Sequence, residues 1–334
     1  MQKALHRAAS LTVAATALVA ATAGTALADP PRGTVPARTD VVGVGSDTTQ
    51  FVLNAISAKY NVSHPAGSRL YSFDATGTAT IVPKKGCAAI TRPDGSSRGI
   101  AALIADTHGC IDFARSSRGP KSDGSEAKLA FLPFARDAVT TAVATTTNSP
   151  TNLTTAQLKG IYTCTVRTWN KVGGRSTAAI KPLLPQTGSG TRSFFLSAIG
   201  ITDAQVGSCV TQGIQENSQP AIAGDPNKIA PFSAARYAFF RNSGTKLTVR
   251  LNNTNSTAPV TTTKIGAKTV FLVNGRYTPV FSRSVFNVVK RVNNAVPAKY
   301  TALFGAKGYI CTNTTAVNTI KVQGFLPNCT TLTH

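Results

Sequence analysis

Ile180-Lys181-Pro182-Leu183-Leu184-Pro185-Gln186-Thr187-Gly188-Ser189-Gly190-Thr191-Arg192-Ser193-Phe194-Phe195-Leu196-Ser197-Ala198-Ile199 is the segment from which the architecture is read. Ile180 to Leu184 is a short apolar run with the look of a buried strand. A small polar turn, Pro185 to Arg192, follows, and Ser193 to Ile199 has helical spacing. Strand, small turn, helix is the unit of a parallel α/β layer. In such sheets ligands sit at the carboxyl ends of strands, where helix N-termini present unpaired N–H groups suited to an anion. Gly188 and Gly190 allow close backbone approach. Ser189 and Thr191 add hydroxyl donors, and Arg192 adds a forked cationic donor. Gly-Ser-Gly also occurs in ordinary loops, so the segment alone does not decide its use.

The same unit recurs upstream. Val41-Val42-Gly43-Val44-Gly45 is a buried strand, Ser46-Asp47-Thr48-Thr49 is a turn, and Gln50 to Tyr60 is a helix. That turn is either a plain helix cap or a second donor cluster. Leu70 to Phe73 is a strand before the turn Asp74 to Thr78. Ile111 to Ala114 is a strand before Arg115-Ser116-Ser117. Asp112 is read as ending that strand; a carboxylate there must be hydrogen-bonded, as a local salt bridge, an Asx-turn or a ligand contact. Leu129–Phe134 and Ala138–Ala144 are expected as consecutive strands near a crossing, Phe281–Val289 as an apolar β-branched segment, and Val292–Phe304 as a helix interrupted by Pro297.

Residues 1–28 have the three-part layout of a secretory signal: Lys3, His6 and Arg7, then an apolar run from Leu11 to Ala23, then Ala26-Leu27-Ala28. Cleavage after Ala28 is expected, with no cysteine there for a lipid anchor, and with residues 29–39 as a flexible leader. The mature protein is expected outside the cytoplasm, secreted. Six cysteines, Cys87, Cys110, Cys164, Cys209, Cys311 and Cys329, make three disulfides in an exported chain. Pairing neighbours is the simplest of the connectivities left open. With only four histidines and no C-x-x-C pair, no metal site is expected. No cofactor is expected either.

The formal net charge is +22, and no acidic residue follows Asp225. Such a surface draws anions: a small oxyanion, nucleic acid or an anionic cell-envelope polymer, or it serves solubility. No nucleophile elbow, zinc-protease helix or phosphate-cradling Gly-Lys-Ser/Thr is present, so an enzyme is not expected. A secreted phosphatase on the same fold, or a basic adhesion protein, are the alternatives.

Together, Gly45 to Thr49, Ile111 to Ser117, Pro133 to Val139, Leu153 to Trp169, Pro185 to Arg192 and Val285 to Val289 resemble the phosphate-binding proteins of bacterial phosphate ABC transporters. The resemblance implies a type II periplasmic-binding-protein fold: two α/β domains joined by two hinge-crossing strands, with a ligand cleft between them. It implies one domain of residues 40–137 plus 285–334 and a second of 138–284. It implies that phosphate, or a similar oxyanion, is held by Asp47, Thr48 and Thr49, by Ser189, Gly190 and Thr191, by the turn of Thr76, and by Asp112 as acceptor for the ligand's proton. Where the family has an arginine just upstream of the Gly-Ser-Gly-Thr turn, this chain has Pro185, so Arg115 or Arg192 is expected to supply the charge. A monomer with a transporter permease as partner is also implied.

Overall fold

A computed structural model describes residues 29–31 and 33–330; the signal-peptide reading of 1–28 lies outside them. In chain order, β1 (Val41–Gly45) leads into α1 (Gln50–Tyr60), followed by β2 (Leu70–Ser72). The pair β3 (Thr80–Ile81) and β4 (Ile90–Thr91) precedes α2 (Ser96–Ala105), β5 (Phe113–Ser116) and the long β6 (Leu129–Ala144). The middle of the chain holds β7 (Asn152–Leu153), α3 (Thr155–Tyr162), β8 (Lys181–Pro185), α4 (Gly190–Ala198), β9 (Thr211–Ile214), α5 (Gln219–Ile222), β10 (Lys228–Ser233) and α6 (Ala234–Asn242). Then come β11 (Val249–Leu251), β12 (Asn253–Thr254), the hairpin β13 (Val260–Ile265) and β14 (Lys268–Val273), β15 (Ser282–Lys290), α7 (Ala298–Phe304), α8 (Tyr309–Thr312), α9 (Thr314–Val322) and β16 (Leu326–Pro327).

The main sheet runs β2-β1-β5-β15-β6-β10-β8-β9, with β11 and β16 also on β6. Two parallel sets, β2-β1-β5 and β10-β8-β9, are joined by the antiparallel strands β15 and β6. The first part of β6, Leu129 to Ala138, pairs with β15; the second, Val139 to Ala144, pairs with β10 and β11. These are the two crossing strands that the resemblance implied, and each parallel set belongs to one lobe. The two strands expected at Leu129–Phe134 and Ala138–Ala144 are one. Register slips at Phe134, between the pairs Phe286–Pro133 and Val285–Ala135. A one-residue bulge there accommodates Pro133, which has no N–H to give the ladder.

β1 is buried on both faces, and its side chains alternate between them with the strand period of two. On β1, Val42 and Val44 pack in a cluster with Tyr71, Ile100 and Phe286, while Val41 packs in the main core with Phe113 and Leu70. A Cβ on Gly43 would come within 2.1 Å of the Phe113 ring, so only glycine fits there. The main core continues through Phe134 into the second lobe, where Tyr162, Trp169 and Phe195 are buried. The expected helix over Val292–Phe304 begins only at Ala298, because Pro297 is its N-cap and the preceding residues form a turn. The helix expected from Ser193 starts three residues earlier, at Gly190. All three disulfides join neighbouring cysteines: Cys87–Cys110, Cys164–Cys209 and Cys311–Cys329. Within the stretch read as a leader, Asp29 pairs with Arg92 through two 2.8 Å contacts and accepts from the Asp74 N–H.

Asp112 precedes β5 rather than ending it, and this changes its role. Its carboxylate accepts from the Val42 N–H (2.9 Å), Lys299 (2.9 Å) and the Tyr300 hydroxyl (2.8 Å), and it pairs with the buried Lys84. Both Asp112 and the Lys84 side chain are almost wholly buried. Burial, then the Asp112 charge, pushes the Tyr300 hydroxyl well above its ordinary pKa. Breaking a buried pair by removing one charge costs about 3–5 kcal/mol, because the other charge is left uncompensated. Asp112→Asn should therefore lose stability of that order in denaturant titration; unchanged stability would contradict the assignment of Asp112 as a structural anchor.

Candidate functional site

The carboxyl ends of β1, β5 and β8 carry the loops that meet between the lobes. From β1 comes Ser46-Asp47-Thr48-Thr49, all of it buried. From β5 comes Ser117, whose N–H donates to Ser96 Oγ at 3.0 Å, the two hydroxyls lying 3.2 Å apart. From β8 comes the turn ending in Ser189, which caps α4 by accepting from the Arg192 N–H at 3.0 Å. Gly190 follows. A Cβ there would lie 2.3 Å from Ser96 Oγ and 2.4 Å from Ser117 Oγ, so the close approach of the lobes requires glycine. The first-turn N–H groups of Gly190 and Thr191 have no acceptor within the helix.

Thr48 and Thr191, one from each lobe, point their hydroxyls at one oxygen. Both donate to Glu216 Oε1 at 2.5 Å. Glu216 is buried, and its Oε2 makes no hydrogen bond among the described residues. Asn217 next to it donates to Asp47 (2.8 Å) and to Thr48 Oγ1 (3.2 Å), and accepts from the Ser233 N–H (2.8 Å). Its backbone φ is +56°, a region that Asn tolerates better than most residues.

The cation that reaches both threonine hydroxyls is Arg283 on β15. Its Nη2 donates to Thr191 Oγ1 at 2.9 Å and lies 3.5 Å from Thr48 Oγ1. Nε and Nη2 grip Asp137 Oδ2 at 3.1 and 2.8 Å, and Arg283 and Asp137 are direct cross-strand partners on β15 and β6. The other oxygen of Asp137 accepts from Ser233 Oγ (2.9 Å) and the Ala235 N–H (3.1 Å). Both side chains are buried.

Neither arginine expected to supply the charge reaches the cleft with its guanidinium. Arg115 is fully buried and donates to the Gly45 and Ser46 carbonyls and to Ser72 Oγ, so it fixes the β1–α1 turn. Burial lowers its pKa to about 10. Arg192 is spent on Asp203, Gln212 and the Pro185 carbonyl. Thr76 is exposed, and its turn is tied to Arg92 through Thr78; Ser96, at the start of α2, is the side chain that meets Ser117 and Gly190 instead. Of the expected residues, Asp47, Thr48, Thr49, Ser189, Gly190 and Thr191 gather at the cleft, while Asp112 lies at the opposite end of β5. Sequence reading missed Ser96, Asp137, Glu216, Asn217 and Arg283. A signal was available for two of them: Asp137 and Arg283 are charges beside apolar β-forming runs, Ala138–Ala144 and Val285–Val289, where burial is costly without a partner.

Burial pushes the Asp47 carboxyl up from 3.8 to about 6; nearby Arg236 opposes the shift and Glu216 adds to it. The folded state thus holds a proton that the unfolded state has released between about pH 4 and pH 6, and stability falls as pH rises through that window. Asp47→Asn removes this contribution. Relative to the wild type, the variant should gain stability from pH 4 to pH 7, by no more than about 3 kcal/mol. Parallel melts at the two pH values check this; a difference independent of pH would contradict it.

The described residues include no group of three or more His, Cys, Asp or Glu placed to hold a metal. No helix among them is long and apolar enough to cross a membrane. No protein of curated function matches the chain in sequence. Among solved structures, it is similar to a protein described as a phosphate ABC transporter substrate-binding protein, with bound phosphate, from Clostridium perfringens (17% identity, TM-score 0.62, 86% of this chain and 99% of that one). It is also similar to an ABC-type phosphate transport receptor from Vibrio cholerae (20% identity, TM-score 0.56, 86% and 99%). A phosphate-binding protein from Stenotrophomonas maltophilia is a third (15% identity, TM-score 0.55, 86% and 90%). At these identities the likeness is one of fold. Residues 30–294 match the family model described as the PBP superfamily domain, and the chain belongs to that family.

Proposed function

We propose that the protein is an extracellular solute-binding protein that captures phosphate, or a similar tetrahedral oxyanion, between its lobes for uptake or scavenging. The observation that carries this reading is the convergence of the Thr48 and Thr191 hydroxyls on one carboxylate oxygen, that of Glu216, with the Arg283 guanidinium donating to Thr191 beside it. Glu216 Oε1 stands in for an oxygen of the ligand: the donors around it are already arranged for an oxyanion. The solved structures named above, described as phosphate-binding, support the same reading.

The ligand takes the place of Glu216 at the two hydroxyls. It also receives the first-turn N–H groups of α4, whose dipole favours negative charge. Because the hydroxyls come from different lobes and Arg283 from a crossing strand, a single ion ties all three parts together. Glu216 and Asp47 remain beside it. An ionised carboxylate only accepts hydrogen bonds, so it favours an oxyanion that still carries a proton, such as phosphate, over sulfate, which carries none. This discrimination, expected first of Asp112, is assigned to Glu216. Export through the N-terminal segment, a transporter permease as partner, and attraction of the basic surface to anionic envelope polymer complete the proposal.

Calorimetric titration of ligand-stripped protein should show phosphate binding and much weaker sulfate binding. Thr191→Val keeps the shape of the side chain and removes one hydroxyl donor to the ligand. A hydrogen bond to a charged group is worth about 1.5–3 kcal/mol, so phosphate affinity should fall about 10- to 150-fold. Undiminished phosphate affinity in folded Thr191→Val would overturn the site.

A further inference from the structure

The three disulfides differ in their surroundings. Cys164 belongs to the main core, with Cys209 packed against that core. Its Sγ accepts from the Cys209 N–H at 3.1 Å, and a Cβ on Gly207 would come within 2.2 Å of it. Cys87 and Cys110 are instead half-buried, and both line a cavity of about 590 Å³ at the surface of the first lobe, together with Arg38, Ile90, Ala102 and His108. The exposed Arg38 lies across this bond. Its Nη1 donates to Cys87 Sγ at 3.1 Å and to Cys110 Sγ at 3.4 Å, and its Nη2 donates to the His108 carbonyl. Cys311 and Cys329 are half-buried too, but among the described residues no cation donates to either of their sulfurs.

We propose that Cys87–Cys110 is a reversible thiol-exchange site, opened by a small thiol while the lobe stays folded. A thiolate leaves a disulfide faster as its pKa falls, and a neighbouring arginine lowers that pKa. Because Arg38 touches both sulfurs, it stabilises whichever one departs. The cavity gives the attacking thiol room beside the bond. Asp106, the acid on the cavity wall, is turned to the His108 and Ile111 N–H groups at 3.0 and 2.7 Å. The exchange balances in two steps. The thiolate of the small thiol attacks one cysteine sulfur, a mixed disulfide forms, and the electron pair of the broken bond leaves with the other cysteine as a thiolate facing Arg38. A second thiolate then attacks the mixed disulfide, frees the first cysteine and leaves as the oxidised small disulfide, so that two small thiols are oxidised and one protein disulfide is reduced. The joined segments have a second tie that survives this. Buried Lys84 donates to the Gly109 carbonyl at 3.0 Å and pairs with Asp112.

Timed exposure of the folded protein to 2-mercaptoethanol, with acid quenching, alkylation and peptide mass mapping, tests this. Cys87 and Cys110 should appear as free thiols or as mercaptoethanol mixed disulfides well before the other cysteines, with the circular dichroism of the protein unchanged. An exposed charge contact is weak, so Arg38→Gln should slow this opening about two- to fivefold, and Arg38→Lys should restore most of the rate. If another disulfide opens first, or all three open together, the inference fails. Opening at the wild-type rate or faster in Arg38→Gln overturns the role of the cation and with it the proposal. Loss of the circular dichroism signal as Cys87–Cys110 opens would show the bond to be a structural staple, and no exchange site.

Discussion

The cross-strand ion pair of Asp137 and Arg283 is the constraint on which the rest of the cleft depends. β6 and β15 are the strands that join the two parallel sets, and these residues face each other at that junction. Two buried charges are costly unless each finds hydrogen-bonding partners. Asp137 finds Ser233 and the Ala235 N–H, at the start of α6 in the second lobe. Arg283 finds Thr191 at the start of α4 and approaches Thr48 at the end of the β1 turn. Satisfying one ion pair therefore fixes the positions of three loops. On the proposed reading, the same guanidinium that the fold must neutralise is the one presented to a ligand.

Much of the frame was legible in the sequence because it rests on local rules. Val41–Gly45 and Ile180–Leu184 are apolar runs that end in small polar turns, and both became strands feeding helices. Ser189 and Gly190 fit a helix start, and the structure gives them those roles, with Gly190 pressed against two serines of the other lobe. Three disulfides followed from the even cysteine count, while their connectivity, left open there, is the simple neighbour pairing in the structure. What was not legible depends on the direction of a side chain at the end of a strand. Asp112 looks equivalent to a residue at the ligand end of β5, but it stands at the other end, where Lys84 and Lys299 neutralise it. Arg115 and Arg192 have the right charge beside the right turns, yet each bends back to backbone carbonyls. Glu216 follows β9 without any motif, and only the packing of the lobes brings it to Thr48.

The charge distribution has a corresponding division. The chain is strongly basic as a whole, and its last third has no acid. Yet Asp47, Asp94, Asp137 and Glu216, from a set of 13 acids, are gathered around the cleft or its loops. Long-range attraction and local selection are thus carried by different residues. The basic exterior raises the concentration of any anion near the surface, in a manner that salt weakens. On the proposed reading the cleft then admits an anion on stricter terms, since the Thr48 and Thr191 hydroxyls and Arg283 Nη2 are already matched to carboxylates. An incoming ligand must offer the donors more than Glu216 does, and must offer the remaining carboxylates a proton.

The account is tested most directly by the anomalous scattering of arsenic in a crystal of the protein grown with arsenate. It predicts one dominant peak in hydrogen-bonding contact with the hydroxyls of Thr48 and Thr191 and with Arg283, with the Glu216 carboxylate withdrawn from those hydroxyls. A map in which Glu216 keeps both hydroxyls, and arsenic is found only at surface lysines and arginines or not at all, would contradict it.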